Sequence, residues 1–213
     1  MHHDGALPGS MMARMTSLHE ARLDHVFRRI KATGARRVLD LGCGAGSLLS
    51  RLVRDEQFEE IVGLEASGQS VLQARDTLSA HLEGAAPRLR FVRGSYAEPQ
   101  PELRDYDAAT MVETIEHVEP GALSRVELAV FGQMRPGVVY ITTPNREYNP
   151  IYGLGPGEFR EQDHKFEWDR ERFRRWAAGV ARRNGYRVTL GGIGEYDPEF
   201  GHPTQTAFFK HLG

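Results

Sequence analysis

The chain has one cysteine, Cys43, in 213 residues. That excludes an internal disulfide framework and any zinc site built on cysteine alone, and it points to a reducing cytoplasm. Long apolar runs are also missing. No segment approaches the ~20 residues that span a bilayer, and no basic-then-apolar leader opens the chain, so no membrane partner is expected. Nor is there an excess of one charge: 27 Lys and Arg stand against 29 Asp and Glu, a net charge of −2. This argues against a protein that coats a long nucleic acid, though not against one that grips an end. The length suits one sizeable domain better than two. The opening "MHHDGALPGSMM" is polar and glycine-rich. Residues 1–15 therefore read as a disordered leader or cloning remnant ahead of a domain at 16–213, and His2 and His3 are set aside.

What is present is an alternation. "TSLHEARLDHVFRRIKATG" reads as a helix, with Ser17 and Glu20 at capping-box spacing and Leu23, Val26, Phe27 and Ile30 as its apolar stripe. Strands "RRVLDLG", "EEIVGLEAS", "RLRFVRGS", "YDAATMVE" and "GVVYITTP" follow, with helices predicted over "SLLSRLVRD", "SGQSVLQARDTLSAHL" and "GALSRVELAVFGQM". A last helix, "DRERFRRWAAGVARRNG", precedes two more strands, "YRVTLGGI" and "TQTAFFK". Strands separated by helices predict a doubly wound α/β domain: a mostly parallel, seven-stranded sheet with helices on both faces. Between Pro144 and Trp168 the periodicity fails for longer than most loops in a compact domain. The segment carries His164 and aromatics and reads as a binding lid.

Two clusters carry chemistry. "VLDLGCGAG" sets Asp40, Gly42, Gly44 and Gly46 at the end of the first strand, where glycines let the backbone approach a ligand and the next helix offers free N–H groups. About twenty residues on, Glu65 ends the second strand, suited to the two hydroxyls of a ribose. The third glycine of a dinucleotide turn is replaced by Ser47, and the acidic Asp40 suits a cationic cofactor better than a phosphate. The second cluster is "MVETIEHVEP", where the fourth strand ends. Glu113, Glu116 and His117 stand three and four apart, so a helical turn would stack them on one face beside the cofactor turn. A charged first helical turn is the ordinary explanation for such a trio alone. His164, on the next carboxyl-end loop, offers a second imidazole and turns the trio into a candidate two-carboxylate, two-histidine set.

The turn and its acid resemble those of the class I S-adenosylmethionine-dependent methyltransferases. "ETIEH" with "DHKFEW" resembles a narrower family, the small-RNA 3′-terminal 2′-O-methyltransferases of the Hua-enhancer type with their bacterial RNA-repair relatives. "SLHEARLD", "RGSYAE", "TTPNREYN" and "GIGEYDPEFGHPTQTAFF" extend that likeness over almost the whole chain. The resemblance implies methyl transfer from S-adenosylmethionine to the 2′-hydroxyl of an RNA 3′ end. It implies a divalent metal held by Glu113, Glu116, His117 and His164, with Glu116, His117 and His164 catalytic. Two imidazoles favour manganese, with magnesium the other candidate. Ser95 and Tyr96 would join Asp40, the turn glycines and Glu65 around the cofactor. Arg22, Thr143, Pro144 and Asn145 would hold the RNA end. Where family members often carry a further histidine before the "DH" pair, this chain has "REQDH". Bacterial relatives often add an N-terminal domain that links them to an RNA end-healing kinase–phosphatase and ligase, for which this chain is too short.

Other readings stay open on sequence alone: a metal-independent methyltransferase for a small molecule or protein, a nicotinamide-dependent oxidoreductase, and a non-catalytic RNA-end binder. The arginines of residues 169–185 read first as a solvated helix face, and Trp168 as an anchor of its loop. His19, His25, His81, His202 and His211 read as surface or satisfied residues.

Overall fold

A computed structural model describes residues 8–83 and 87–213, with side chains from residue 15 onward. Seven strands form one sheet: β1 (Arg37–Leu41), β2 (Glu60–Glu65), β3 (Leu89–Arg93), β4 (Ala108–Val112), β5 (Val138–Pro144), β6 (Tyr186–Ile193) and β7 (Thr204–His211). Their order is β3-β2-β1-β4-β5-β7-β6. Pairing is parallel from β3 to β5, whereas β7 runs antiparallel to both β5 and β6. The central strands read as near-continuous apolar runs because both their faces are covered. Leu39 and Leu41 of β1 enter one core with Val62 and Leu64, while Val38 enters the other with Ile61 and Ala108.

The helices are α1 (Pro8–Lys31), α2 (Leu49–Leu52), α3 (Gly68–Thr77), α4 (Leu123–Glu127) and α5 (Arg170–Asn184). Ser67 caps α3 by accepting from the Ser70 N–H, and Asp169 caps α5 by accepting from the Arg172 N–H at 2.6 Å. Three expectations change. The helix α1 starts at Pro8, so residues 8–15 are helical rather than leader, and residues 1–7 lie outside the described residues. Ser17 is therefore inside the helix, and Glu20 pairs with Arg51 at 2.6 Å instead of closing a capping box. The fourth helix is α-helical only to Glu127, then continues as a π-helix over Leu128–Met134 that ends at left-handed Arg135.

The aperiodic stretch after β5 is built. Asn145 caps a 3-10 turn over Arg146–Tyr152, and the Arg160 side chain reaches back to the carbonyls of Asn145 and Pro203 at 2.6 and 2.8 Å. Phe166 and Trp168 are buried and stack with centroids 4.3 Å apart, so both anchor the loop to the core instead of facing a base. On α5, Arg174 and Arg175 pair with Glu171, and Arg183 pairs with Glu127. Among the described residues no helix is long and apolar enough to cross a membrane.

One packing point fixes the cofactor turn to the sheet. A Cβ on Gly63, in β2, would lie 2.7 Å from Leu49 Cδ1, 2.8 Å from Cys43 Sγ and 3.1 Å from Phe91 Cδ1. Gly63→Ala should lower unfolding free energy by about 1–3 kcal/mol through overpacking. Urea unfolding measures this, and unchanged stability would mean the turn shifts freely.

Candidate active site

The strands β1, β2, β4 and β5 deliver their carboxyl ends to one rim, where the candidate residues gather. Gly42 and Gly44 have φ of 78° and 52°, the left-handed region in which a side chain is strained. Gly42 is also closely overlaid, since a Cβ there would meet Thr114 Cγ2 at 2.7 Å. The turn is held from below by β2. Leu64 O accepts from the Gly42 and Cys43 N–H groups, and Glu65 Oε2 accepts from the Gly44 N–H at 2.9 Å. The other oxygen of Glu65 accepts from the Ser67 N–H at 2.8 Å. A cleft of about 600 Å³ opens here, lined by Gly42, Gly44, Glu65, Ser95 and Tyr96 and reaching His117. The Tyr96 hydroxyl donates to Thr114 O at 3.0 Å, tying the cleft's far wall to the segment after β4. A Cβ on Gly46 would meet Leu78 Cδ1 at 3.1 Å and Ala74 Cβ at 3.4 Å, so its side-chain side packs against α3 and the residue that follows it.

Asp40 lines a narrower arm of about 290 Å³ with Arg22 and Glu113. It is buried, and its carboxylate accepts from Thr110 Oγ1 at 2.9 Å. Burial pushes its pKa up to about 7, with Thr110 opposing and Glu65 adding to the rise. An acid that is costly to ionise when empty suits a cationic guest.

The second cluster is not helical as expected. Glu113 takes a left-handed backbone with φ of 50°, and only Ile115–His117 form a single 3-10 turn. Spacing of three and four residues does not require an α-helix, and this turn separates Glu113 from the others. Glu116 points inward and is fully buried. Its Oε2 accepts from Thr143 Oγ1 at 2.9 Å, while its Oε1 has no hydrogen-bond partner among the described residues. The Lys165 N–H donates to Glu116 O at 2.7 Å, which brings the lid's His164 alongside. The His117 and His164 rings meet edge to face with centroids 4.9 Å apart. One ligand atom each from Glu116, His117 and His164 lies within 4.8 Å of the others.

Each imidazole has a carboxylate near Nδ1, but only His164 is hydrogen-bonded to its own. His117 Nδ1 lies 3.1 Å from Asp163 Oδ2, and His164 Nδ1 lies 2.6 Å from Glu167 Oε1. Glu167 is itself held by the Asn149 amide at 2.6 Å and the Arg160 N–H at 2.7 Å. A carboxylate on Nδ1 fixes the tautomer that leaves Nε2 for a metal. Burial and the neighbouring Glu113 charge hold the Glu116 pKa well above the usual carboxylate range. An orphaned buried carboxylate oxygen beside two imidazoles is a donor set that fits a borderline divalent ion.

Glu113 stands apart from that trio. Its Oε2 pairs with Arg22 Nη2 at 3.1 Å and its Oε1 accepts from Thr142 Oγ1 at 2.9 Å. A further cleft of about 390 Å³ is lined by Leu18, Arg22, His117, Pro144, Tyr152 and His164. Pro144 and Arg22 thus line this cleft, whereas the side chains of Thr143 and Asn145, expected beside them, are spent inside the protein. Thr143 is fully buried and holds Glu116. Asn145 is fully buried and its amide donates to the carbonyls of Phe200 and His202, both at 2.8 Å. His19, read from sequence as a surface or satisfied residue, lines two of the clefts; burial and then Arg22 hold its pKa below the ordinary value. Asp163 and Glu167 were also missed. The spacing of Glu167 three residues after His164 was the available signal.

A sheet of this order, with a glycine turn after β1 and an acid ending β2, defines a class I methyltransferase. A family described as "Methyltransferase domain" matches residues 39–138. The chain is 39% identical to the methyltransferase domain of a bacterial Hen1 (CtHen1-C), with a TM-score of 0.82 over 92% of this chain and 100% of that one. It is 31% identical to the small RNA methyltransferase HEN1, with a TM-score of 0.85 over 92% of this chain and 25% of that one. The small RNA 2′-O-methyltransferase of Mus musculus is 34% identical over 205 residues, 92% of this chain and 51% of its own length. The chain belongs to the Hen1 family of methyltransferases. It spans between 22% and 52% of the length of the curated relatives named as small RNA 2′-O-methyltransferases.

Asp40 gives a prediction with a definite sign. Its folded pKa of about 7 lies above the ordinary 3.8. The folded state therefore holds this proton more tightly than the unfolded chain, and stability falls as pH rises between those values. Asp40→Asn should remove that fall. In the absence of cofactor, the variant's melting temperature should gain on the wild type as pH rises from 4 to about 7, by on the order of a few kcal/mol in stability. A difference independent of pH would contradict the buried, ionisation-resistant Asp40.

Proposed function

We propose that this chain transfers a methyl group from S-adenosylmethionine to the 2′-hydroxyl of the 3′-terminal nucleotide of RNA, with a divalent metal, manganese in preference to magnesium. The observation that carries this reading is the Glu116–His117–His164 cluster, which opens between the cleft of the glycine turn and the cleft bounded by Arg22 and Pro144. The relatives' shared name as small RNA 2′-O-methyltransferases supports the substrate class.

Each residue then has a task. Glu65, Ser95 and Tyr96 line the cleft for the nucleoside of the cofactor, and Asp40 with Gly42 and Gly44 cradles its charged end. S-adenosylmethionine supplies the methyl group on a sulfonium, a centre that needs no activation of its own. Glu116, His117 and His164 would hold the metal, with Glu113 as a fourth ligand. Once bound, a divalent ion supplies Lewis acidity that lowers the pKa of a ribose hydroxyl, a poor nucleophile at neutral pH. Glu167 fixes the His164 imidazole and Thr143 fixes Glu116, so these two donors are in place before substrate arrives. Pro144 and Tyr152 would wall the terminal nucleotide, and Arg22 lines the same cleft. The reading extends to the partners implied by the resemblance, an RNA end-healing kinase–phosphatase and ligase.

The test is labelled methyl transfer to a short RNA, with manganese, with chelator, and with the same RNA ending in a 2′-deoxynucleotide. Transfer should require both the metal and the terminal 2′-hydroxyl. Glu116→Ala should lower turnover by at least about a hundredfold while leaving S-adenosylmethionine affinity nearly intact. Transfer that survives chelation or loss of that hydroxyl would return the cluster to ordinary protein surface and leave a metal-independent methyltransferase for another acceptor.

A further inference from the structure

Arg22 and Glu113 sit on the boundary between clefts, lining both the one that holds Pro144 and the one that holds Asp40. Their side chains are 11% and 17% exposed and form an ion pair at 3.1 Å. Both oxygens of Glu113 are engaged, one by Arg22 and the other by Thr142 Oγ1 at 2.9 Å. Glu116, three residues on, keeps an oxygen with no partner among the described residues. The guanidinium has a second anchor, since Nε and Nη2 donate to Thr204 Oγ1 at 3.4 and 3.3 Å.

We propose that Arg22 is a latent phosphodiester subsite, masked by Glu113 until a metal ion takes that carboxylate. The inference rests on the metal-dependent reading above and adds to it an order of events. Both oxygens of Glu113 already have a partner, so a divalent ion that takes Oε2 displaces the Arg22 guanidinium from it. When Glu113 leaves, Thr204 keeps the guanidinium on the cleft wall with a neutral partner only. A poorly hydrated cation that has lost its carboxylate strongly favours an incoming anion. The anion that an RNA 3′ end brings to that wall is the phosphodiester preceding the terminal ribose, and a planar guanidinium suits its two free oxygens. Metal loading and RNA-end binding are then linked, and by reciprocity each tightens the other. The left-handed backbone of Glu113, with φ of 50°, holds its side chain at this junction.

The test separates coupling from chemistry. The probe is a short single-stranded RNA, labelled at its 5′ end and terminated by a 2′,3′-dideoxynucleotide, so that no diol can meet the metal. Its affinity is read by fluorescence anisotropy with manganese and with chelator, and manganese uptake is read separately by calorimetry without RNA. Manganese should tighten the wild type about tenfold and Arg22→Met less than about twofold, with both proteins taking up the ion. Glu113→Gln should bind the metal-free RNA about as tightly as the manganese-loaded wild type does. Equal gains in wild type and Arg22→Met overturn the subsite. Wild-type metal-free affinity in Glu113→Gln overturns the masking. A wild type that takes up no manganese overturns the metal reading itself, independently of any RNA result.

Discussion

The buried carboxylate of Glu116 constrains everything around it. A charge with no exposed surface is costly in a protein interior, and Thr143 answers only one of its two oxygens. The other oxygen has no partner among the described residues, and Glu116 shares a 4.8 Å cluster with two imidazoles, of which His164 is hydrogen-bonded by Glu167. Such an arrangement is expensive to keep empty and favourable to fill with a cation. The raised pKa of Glu116 and that of Asp40 have the same origin, burial of an acid where a positively charged guest is expected.

The fold delivers these groups by simple means. Parallel strands β1, β4 and β5 end together, so the glycine turn, the 3-10 turn of Glu116 and the loop carrying His164 share one rim. The lid is held by polar ties, with Arg160 bonding across it to Asn149 and to the carbonyls of Asn145 and Pro203. Asn145 and Gln205 fasten the same loop to the turn before β7 and to β5. These buried polar residues spend their hydrogen bonds on shape. Rigidity of this kind keeps ligand positions fixed whether or not a substrate is present.

Much of this was legible in the sequence. All seven strands follow from the apolar runs and their spacing, and Glu116, His117 and His164 follow from two short stretches at strand ends. What was misread has local physical causes. Positions three and four apart suggested one helical face, but a left-handed residue at Glu113 broke the turn. Thr143 and Asn145 stand in a stretch that suggests ligand contact, and the structure gives their side chains to Glu116 and to the carbonyls of Phe200 and His202. Asp163 was passed over because its approach to His117 is a tertiary contact, whereas Glu167 had a local signal in its spacing from His164. His19 emerged only when α1 was seen to wall the clefts, which no periodicity states.

The central claim is that Glu116, His117 and His164 form a metal centre. Manganese-soaked crystals measured at the manganese absorption edge test it directly. The account predicts one strong anomalous peak within coordination distance of Glu116 Oε1 and the Nε2 atoms of His117 and His164. Crystals that show no peak there, or manganese only on exposed carboxylates, would contradict it.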